Sequence, residues 1–249
     1  MTGPNILVVQ NAEWEGPALI RSHSRAAGTR LSVVRMFASH GPSTNIPLQK
    51  LENGSYAAVV SLGSPSTAYR PDTNPRHDDL VELFKLIRKK KIPSFNVCYS
   101  MQLFSLVHGG KVAENPAGKE VGFFEVYPSD AGAVDPVFGS IGRHVTLQWH
   151  GDIVEALPPG AVHLASSKKT KNQAAVVDGI HYLVQGDGQA ATPSMVRSWM
   201  RHDAKWATEG TGLNKEDLLR EAVKNEAFLR NTFLRTFGNF VALVVQWRD

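Results

Sequence analysis

The chain has 249 residues, 42% of them hydrophobic and 20% charged, with a formal net charge of +4 and a pI near 9.2. That is enough chain and apolar content to bury one large core, as a single α/β domain or one with a helical appendage. One cysteine excludes an internal disulfide framework and a CxxC metal site.

The opening MTGPNILVVQ runs directly into a strand with no charged leader or long apolar segment, and no stretch approaches membrane-spanning length. A cytoplasmic protein with no membrane partner is the expectation. Residues 6–9 read as a continuous apolar strand, followed by Asn11-Ala12-Glu13-Trp14-Glu15-Gly16 and by a helix over 17–27 with proline in its first turn. Residues 31–34 make the next strand, 41–54 a Gly, Pro, Ser and Asn loop, and 56–62 the third strand. That strand enters Gly63-Ser64-Pro65-Ser66, a small-residue turn whose amides can approach a ligand closely. Residues 78–90 fit an amphipathic helix with Leu80, Leu83, Phe84 and Ile87 on one face. The run Arg88-Lys89-Lys90-Lys91 closes it, where the helix dipole favours cations, and reads as a solvated helix end rather than a nucleic-acid patch.

The apolar run from Ile92 then leads to Asn96-Val97-Cys98-Tyr99-Ser100-Met101-Gln102, with a helix expected over 101–108. A cysteine at such a strand-to-helix junction has the first helical amides aimed at it, which favours a thiolate and a developing oxyanion. Taken alone, a lone cysteine reads equally as a small buried hydrophobe. Beyond Gly109-Gly110, a loop over 113–121 leads to a strand over 123–126, expected to be antiparallel at an edge. Residues 144–150 alternate as a strand ending in Trp149-His150-Gly151-Asp152, and 157–160 are a turn. Three more strands, 162–165, 174–177 and 182–185, end in Gly186-Asp187-Gly188-Gln189. From Pro193 the chain turns helical, with Asn214 as an N-cap and a long amphipathic helix broken or bent near Gly238. Its apolar stripe of Leu218, Ala222, Leu229, Phe233, Phe237, Phe240 and Val244 fits packing on the parent domain, with a dimer interface as the alternative.

Strands alternating with helices at this spacing predict a doubly wound, mostly parallel sheet with flanking helices and a C-terminal helical extension. The domain over 1–195 would carry the site, with 196–249 packed on it.

Four stretches in order, Gly63-Ser64-Pro65, the Cys98 elbow, Trp149-His150-Gly151-Asp152 and Gln185-Gly186-Asp187-Gly188-Gln189, resemble the class I glutamine amidotransferase family, in particular its stand-alone branch near γ-glutamyl peptidases. The resemblance covers about residues 5–195 and implies a flavodoxin-like sheet. It implies Cys98 as nucleophile, Gln102 as a substrate contact, the amides of Gly63 and Tyr99 as oxyanion hole, and Ser64 beside them. It also implies a glutamine-like or γ-glutamyl amide substrate and an acceptor or synthetase protein as a possible partner.

The family's Gln-x-His-Pro-Glu segment falls on residues 185–189, so Asp187 stands for the histidine and Gln189 for the glutamate. An unperturbed aspartate opposes thiolate formation and is too acidic to protonate a leaving amine at pH 7. Asn96 and Ser100 also replace glycines of the elbow, which makes a tight turn harder.

Three readings follow: an enzyme using Cys98 with His150 as its base, oriented by Asp187; an enzyme using Asp187 itself as acid or base; or a silent member binding a metabolite or partner protein. His150 reads equally as a structural histidine, and Trp149 as either a remodelled pocket wall or core packing. Histidines 77, 108, 144, 163 and 181 show no metal-ligand spacing, so neither metal nor cofactor is expected.

Overall fold

A computed structural model describes residues 3–37 and 45–248. Of the loop expected over 41–54, residues 41–44 lie outside the described residues. The remainder is not all loop: Leu48–Glu52 is a short helix whose Leu51 is buried.

In chain order the first elements are β1 (Asn5–Gln10), α1 (Ala18–Ala27), β2 (Arg30–Arg35), α2 (Leu48–Glu52), β3 (Ala58–Ser61), α3 (His77–Lys89), β4 (Ser94–Val97) and α4 (Tyr99–Val107). They are followed by β5 (Lys111–Glu114), β6 (Glu120–Pro128), α5 (Asp130–Val134), β7 (His144–His150), β8 (Asp152–Ala156), β9 (Val162–Ser166), β10 (Ala174–Val177) and β11 (His181–Val184). Three helices end the chain: α6 (Pro193–His202), α7 (Ala204–Thr208) and α8 (Lys215–Arg248).

Nine strands form one sheet in the order β2-β1-β3-β4-β11-β10-β9-β6-β7. The run from β2 to β11 is parallel, and β10, β9, β6 and β7 continue it antiparallel. All four residues of β3 and of β4 and the last five of β1 are buried, which explains their apolar runs at 6–9 and 58–60, since both faces are covered by helices. Parallel strands deliver their carboxyl ends to one edge, and there the turns after β1, β3, β4 and β11 meet.

Several expectations need correction. The stretch over 113–121 is not a loop throughout, because Lys111–Glu114 pairs with Asp152–Ala156 as a separate two-stranded sheet. Val112 and Val154, both buried, close that ribbon over α4, a pairing that no local pattern announces. β6 is antiparallel but not an edge strand, since β7 lies outside it. α4 begins at Tyr99, two residues earlier than expected.

The C-terminal helix is one unbroken helix through Gly238. Glycine there serves close approach: a Cβ would lie 3.2 Å from His23 Nε2 on α1. The stripe of α8 joins the main core, Phe237 meeting Phe95 edge to face at 6.0 Å and Phe240 at 5.4 Å. The position between residues 195 and 196 falls inside α6, so the helical segment starts from within the covering of the sheet.

Asn214 caps α8 by accepting from the amides of Glu216 at 2.9 Å and Asp217 at 3.1 Å. Asn214→Ala is expected to lower stability by about 1 kcal/mol, the usual worth of such a cap, read in urea unfolding. An unchanged midpoint would show that the first turn of α8 frays without consequence.

Candidate active site

Cys98 closes β4 and opens α4 with φ 51° and ψ −114°, a backbone that a residue with a side chain holds only under constraint. The constraint is visible on both sides: its amide donates to the Val184 carbonyl at 2.8 Å, and its carbonyl accepts the Gln102 amide at 3.1 Å. The Tyr99 amide points at the sulfur, and Gln185 Nε2 stands 3.7 Å from it.

The side chains that replace glycine at this turn are taken up by hydrogen bonds. Ser100 Oγ donates to the Leu62 carbonyl at 2.6 Å, lies 2.7 Å from Ser61 Oγ and accepts from Asn11 at 3.3 Å. Asn96 Nδ2 donates to Ser94 Oγ at 2.8 Å and to the Tyr182 carbonyl at 3.3 Å.

Gly63 faces the sulfur from the β3 turn, and a Cβ there would collide with the Glu15 carboxyl and lie 3.4 Å from Cys98 Cβ. A cleft of about 200 Å³ opens over the cysteine, lined among others by Glu15, Ser64, Gln102, Trp149, His150 and Asp203. Gln102 Nε2 donates to the Asp152 carbonyl at 3.0 Å and to Gln185 Oε1 at 3.3 Å, so it reaches the thiol through Gln185. Ser64 Oγ accepts the Ser66 amide at 3.2 Å. Of Tyr99 only the amide faces the site; its ring is buried and its hydroxyl accepts from Asn74 at 3.0 Å. Trp149 fills both expected roles, lining the cleft while packing edge to face on Trp199 at 5.4 Å.

Asp187 sits in the turn after β11, its amide held by the Leu147 carbonyl at 2.7 Å. The flanking glycines are needed because a Cβ on Gly186 would come within 2.8 Å of Thr146 and one on Gly188 within 3.1 Å of Phe233 of α8. The long helix thus helps seal Asp187, which is 1% exposed, with Oδ2 unpartnered and Oδ1 accepting Gln189 Nε2 at 3.3 Å.

Such burial fits the reading in which Asp187 is itself the acid or base rather than an ordinary, strongly acidic aspartate. Burial pushes its pKa up to about 8, against the Gln189 hydrogen bond, so it carries a proton at neutral pH. Burial, then the charges of Asp187 and Asp203, pushes Glu15 well above the carboxylate range. Cys98 is pushed well above the usual thiol range, first by burial and then by Asp187 and Glu15, with the Tyr99 amide pulling the other way.

His150 does not meet Asp187 as expected. Its Nδ1 lies 3.0 Å from the Asp152 carbonyl and its Nε2 3.2 Å from Glu120 Oε2, a close ion-pair contact without linear hydrogen-bond geometry. Glu120 is fully buried and also accepts Ser167 Oγ at 2.6 Å, Thr170 Oγ1 at 2.7 Å and Gln173 Nε2 at 2.9 Å. No three ionisable side chains among the described residues gather as a metal site.

Sequence reasoning assigned no role to Glu15, Glu120, Gln185, Asp203 or Trp206. Glu15 had a signal, because the turn after the first parallel strand must open at the carboxyl edge of the sheet. Asp203 and Trp206 had none, since only tertiary packing brings the end helices over the cleft.

The family model for class I glutamine amidotransferases matches residues 18–182. The chain belongs to that family. The matched stretch stops short of Gln185-Gly186-Asp187-Gly188-Gln189. Among curated relatives, the glutamine-hydrolysing GMP synthase of Nitratiruptor is 31% identical over 123 residues, covering 48% of this amidotransferase-family chain and 22% of that enzyme. The GMP synthase of Rhizobium johnstonii is 33% identical over 128 residues, covering 49% and 23%. The alignments thus span less than a quarter of those synthases. Among solved structures, a glutamine amidotransferase from Thermotoga maritima superposes with a TM-score of 0.80 at 21% identity, covering 97% of this chain and 99% of that one. One from Methylobacillus flagellatus gives 0.81 at 21% identity, covering 96% and 95%. Both likenesses establish the fold alone. No helix among the described residues is long and apolar enough to cross a membrane.

Proposed function

We propose that this class I amidotransferase-family protein cleaves or transfers an amide of the glutamine or γ-glutamyl type through a Cys98 thioester, with Asp187 as the proton carrier. The observation that carries the reading is the buried Asp187 carboxyl with its pKa near 8, electrostatically coupled to a thiol on a strained turn. A carboxyl near 8 is basic enough to take the thiol proton and acidic enough to return it to a leaving amine.

Sulfur attacks the amide carbon as its proton passes to ionised Asp187, the C–N bond breaks, and protonated Asp187 gives that proton to the departing nitrogen. Water or an acceptor amine then attacks the thioester carbon, gives a proton to Asp187, and the C–S bond breaks as that proton returns to the sulfur. The amides of Gly63 and Tyr99 would receive the oxyanion. His150 is supported as a structural partner of Glu120 rather than as the base. A synthetase or acceptor protein is part of the proposal only by analogy with the GMP synthases.

The test follows acylation of Cys98 by mass spectrometry with γ-glutamyl p-nitroanilide. A γ-glutamyl adduct is expected in the wild type and none in Cys98→Ala, with a rate rising between pH 6 and pH 9. Full turnover by Cys98→Ala, or no adduct on the wild type, would remove this reading.

A second reading, a binding protein without turnover, draws on Glu15, whose carboxyl packs against Gly63 beside Cys98. It predicts that Glu15→Ala still forms no adduct.

Both readings share one expected property: because the thiol is raised, iodoacetamide should label Cys98 more slowly than free cysteine at pH 7, accelerating as pH rises. Fast, pH-independent labelling would contradict the electrostatics of the site.

A further inference from the structure

The cleft over Cys98 has a charge character opposite to that of the chain. The protein carries a net +4, yet the cleft is lined by the carboxyls of Glu15, Asp152 and Asp203 and by no lysine or arginine. Glu15 is 8% exposed, and among the described residues no donor hydrogen-bonds its side chain. An unpartnered carboxyl buried to that degree lacks a donor, and the open side from which one can come is the cleft.

Asp203 holds its place through Trp149 Nε1, which donates to Oδ2 at 3.1 Å. Trp206 borders the same cleft, and its ring already carries a cation from the neighbouring hollow: Lys119 Nζ lies 4.7 Å from the ring centroid, tied to the carbonyls of Trp206 at 2.8 Å and Glu209 at 3.2 Å.

We propose that the Cys98 cleft takes a ligand bearing a protonated aliphatic amine, seated between the Glu15 and Asp203 carboxyls and against the ring of Trp206. This rests on the reading of the cleft as the ligand site and deepens it: where the ligand is an amide substrate, the ammonium belongs to its amine portion. An ammonium supplies the three donors the carboxyls lack, and an indole face adds a cation–π contact. A neutral alcohol of the same length supplies one donor and no charge. Entry of a cation lets Glu15 ionise, so binding releases a proton to the buffer.

The experiment is calorimetric titration of the wild type and of Cys98→Ala with n-butylammonium and with 1,4-diaminobutane, in two buffers of different ionisation enthalpy, with n-butanol as the neutral control. Saturable binding of an amine with proton release is expected in both proteins, at least tenfold weaker in Glu15→Gln and Asp203→Asn, and n-butanol is expected not to bind. In the unsubstituted protein the amine should also slow iodoacetamide labelling of Cys98, a measurement that does not depend on any variant folding. No saturable amine binding, unchanged affinity in folded Glu15→Gln, or equally tight binding of n-butanol overturns the proposal.

The two readings fail separately. Amine binding without any thioester removes the proposed chemistry and leaves this inference standing. Equal acylation by γ-glutamyl substrates with neutral and cationic leaving amines, with no amine binding, does the reverse.

Discussion

Asp187→Asn is expected to make the protein more stable and to take away its chemistry in the same step. In the folded chain the Asp187 carboxyl keeps its proton to about pH 8, whereas an unfolded aspartate loses it near pH 4. Between those values the native state binds more protons than the unfolded one, so wild-type stability falls as pH rises through the window and levels off above pH 8. Asparagine is neutral throughout and removes that slope. At about 1.4 kcal/mol per pKa unit, the variant gains on the order of 3–5 kcal/mol at pH 8 and little at pH 4. Urea unfolding at both pH values reads the difference directly. Loss of the proton carrier should lower Cys98 acylation by roughly 10²–10⁴-fold. If the variant were no more stable than the wild type at pH 8, Asp187 would have to be ionised in the fold, and its role as a neutral-pH acid would go with it.

The opposite sign is expected one layer deeper, at Glu120. Burial alone would raise this carboxyl, but the close contact with His150 and the hydrogen bonds from Ser167 and Thr170 bring it below the ordinary glutamate range. Its stabilising contribution is therefore complete above the unfolded value near pH 4.3 and is lost as pH falls toward the folded one.

Glu120→Ala strands His150, Ser167, Thr170 and Gln173 without their shared acceptor in a site closed to water. Removing one partner from such a cluster costs about 3–5 kcal/mol, because the remaining groups stay desolvated. Glu120→Gln retains the shape and one acceptor and should lose less. Chemical denaturation of the two variants at pH 7 checks the order; a loss under 1 kcal/mol for alanine would mean that water enters and replaces the carboxylate. Because β6 carries Glu120 and β7 carries His150, the pair also pins the floor of the cleft, and Glu120→Ala should weaken ligand binding there.

How much of this was legible beforehand differs from element to element. The parallel half of the sheet was readable because strands covered on both faces carry continuous apolar runs, as residues 6–9 and 57–60 do. The cysteine turn was readable as well, since a short apolar run meeting a helix at a lone cysteine leaves few alternative placements. The ribbon of β5 and β8 was not, because its four- and five-residue strands each bury little on their own and are defined by one another. Gly238 was misread as a helix break for a related reason: glycine lowers local helix propensity, but against His23 its missing side chain is what lets α8 and α1 approach.

By itself the amino-acid sequence determined the layered α/β architecture, its alternation of strands and helices and the strand ends from which Cys98, Gly63 and Asp187 emerge, because periodicity and turn chemistry are local properties of the chain. Only the tertiary structure decided what those residues are in contact with and how they ionise. Glu15 against Gly63, Glu120 against His150 and α8 against the Asp187 turn join positions far apart in sequence. Ionisation depends on the water that such packing excludes, which is why an aspartate that looks acidic in the sequence holds its proton in the fold.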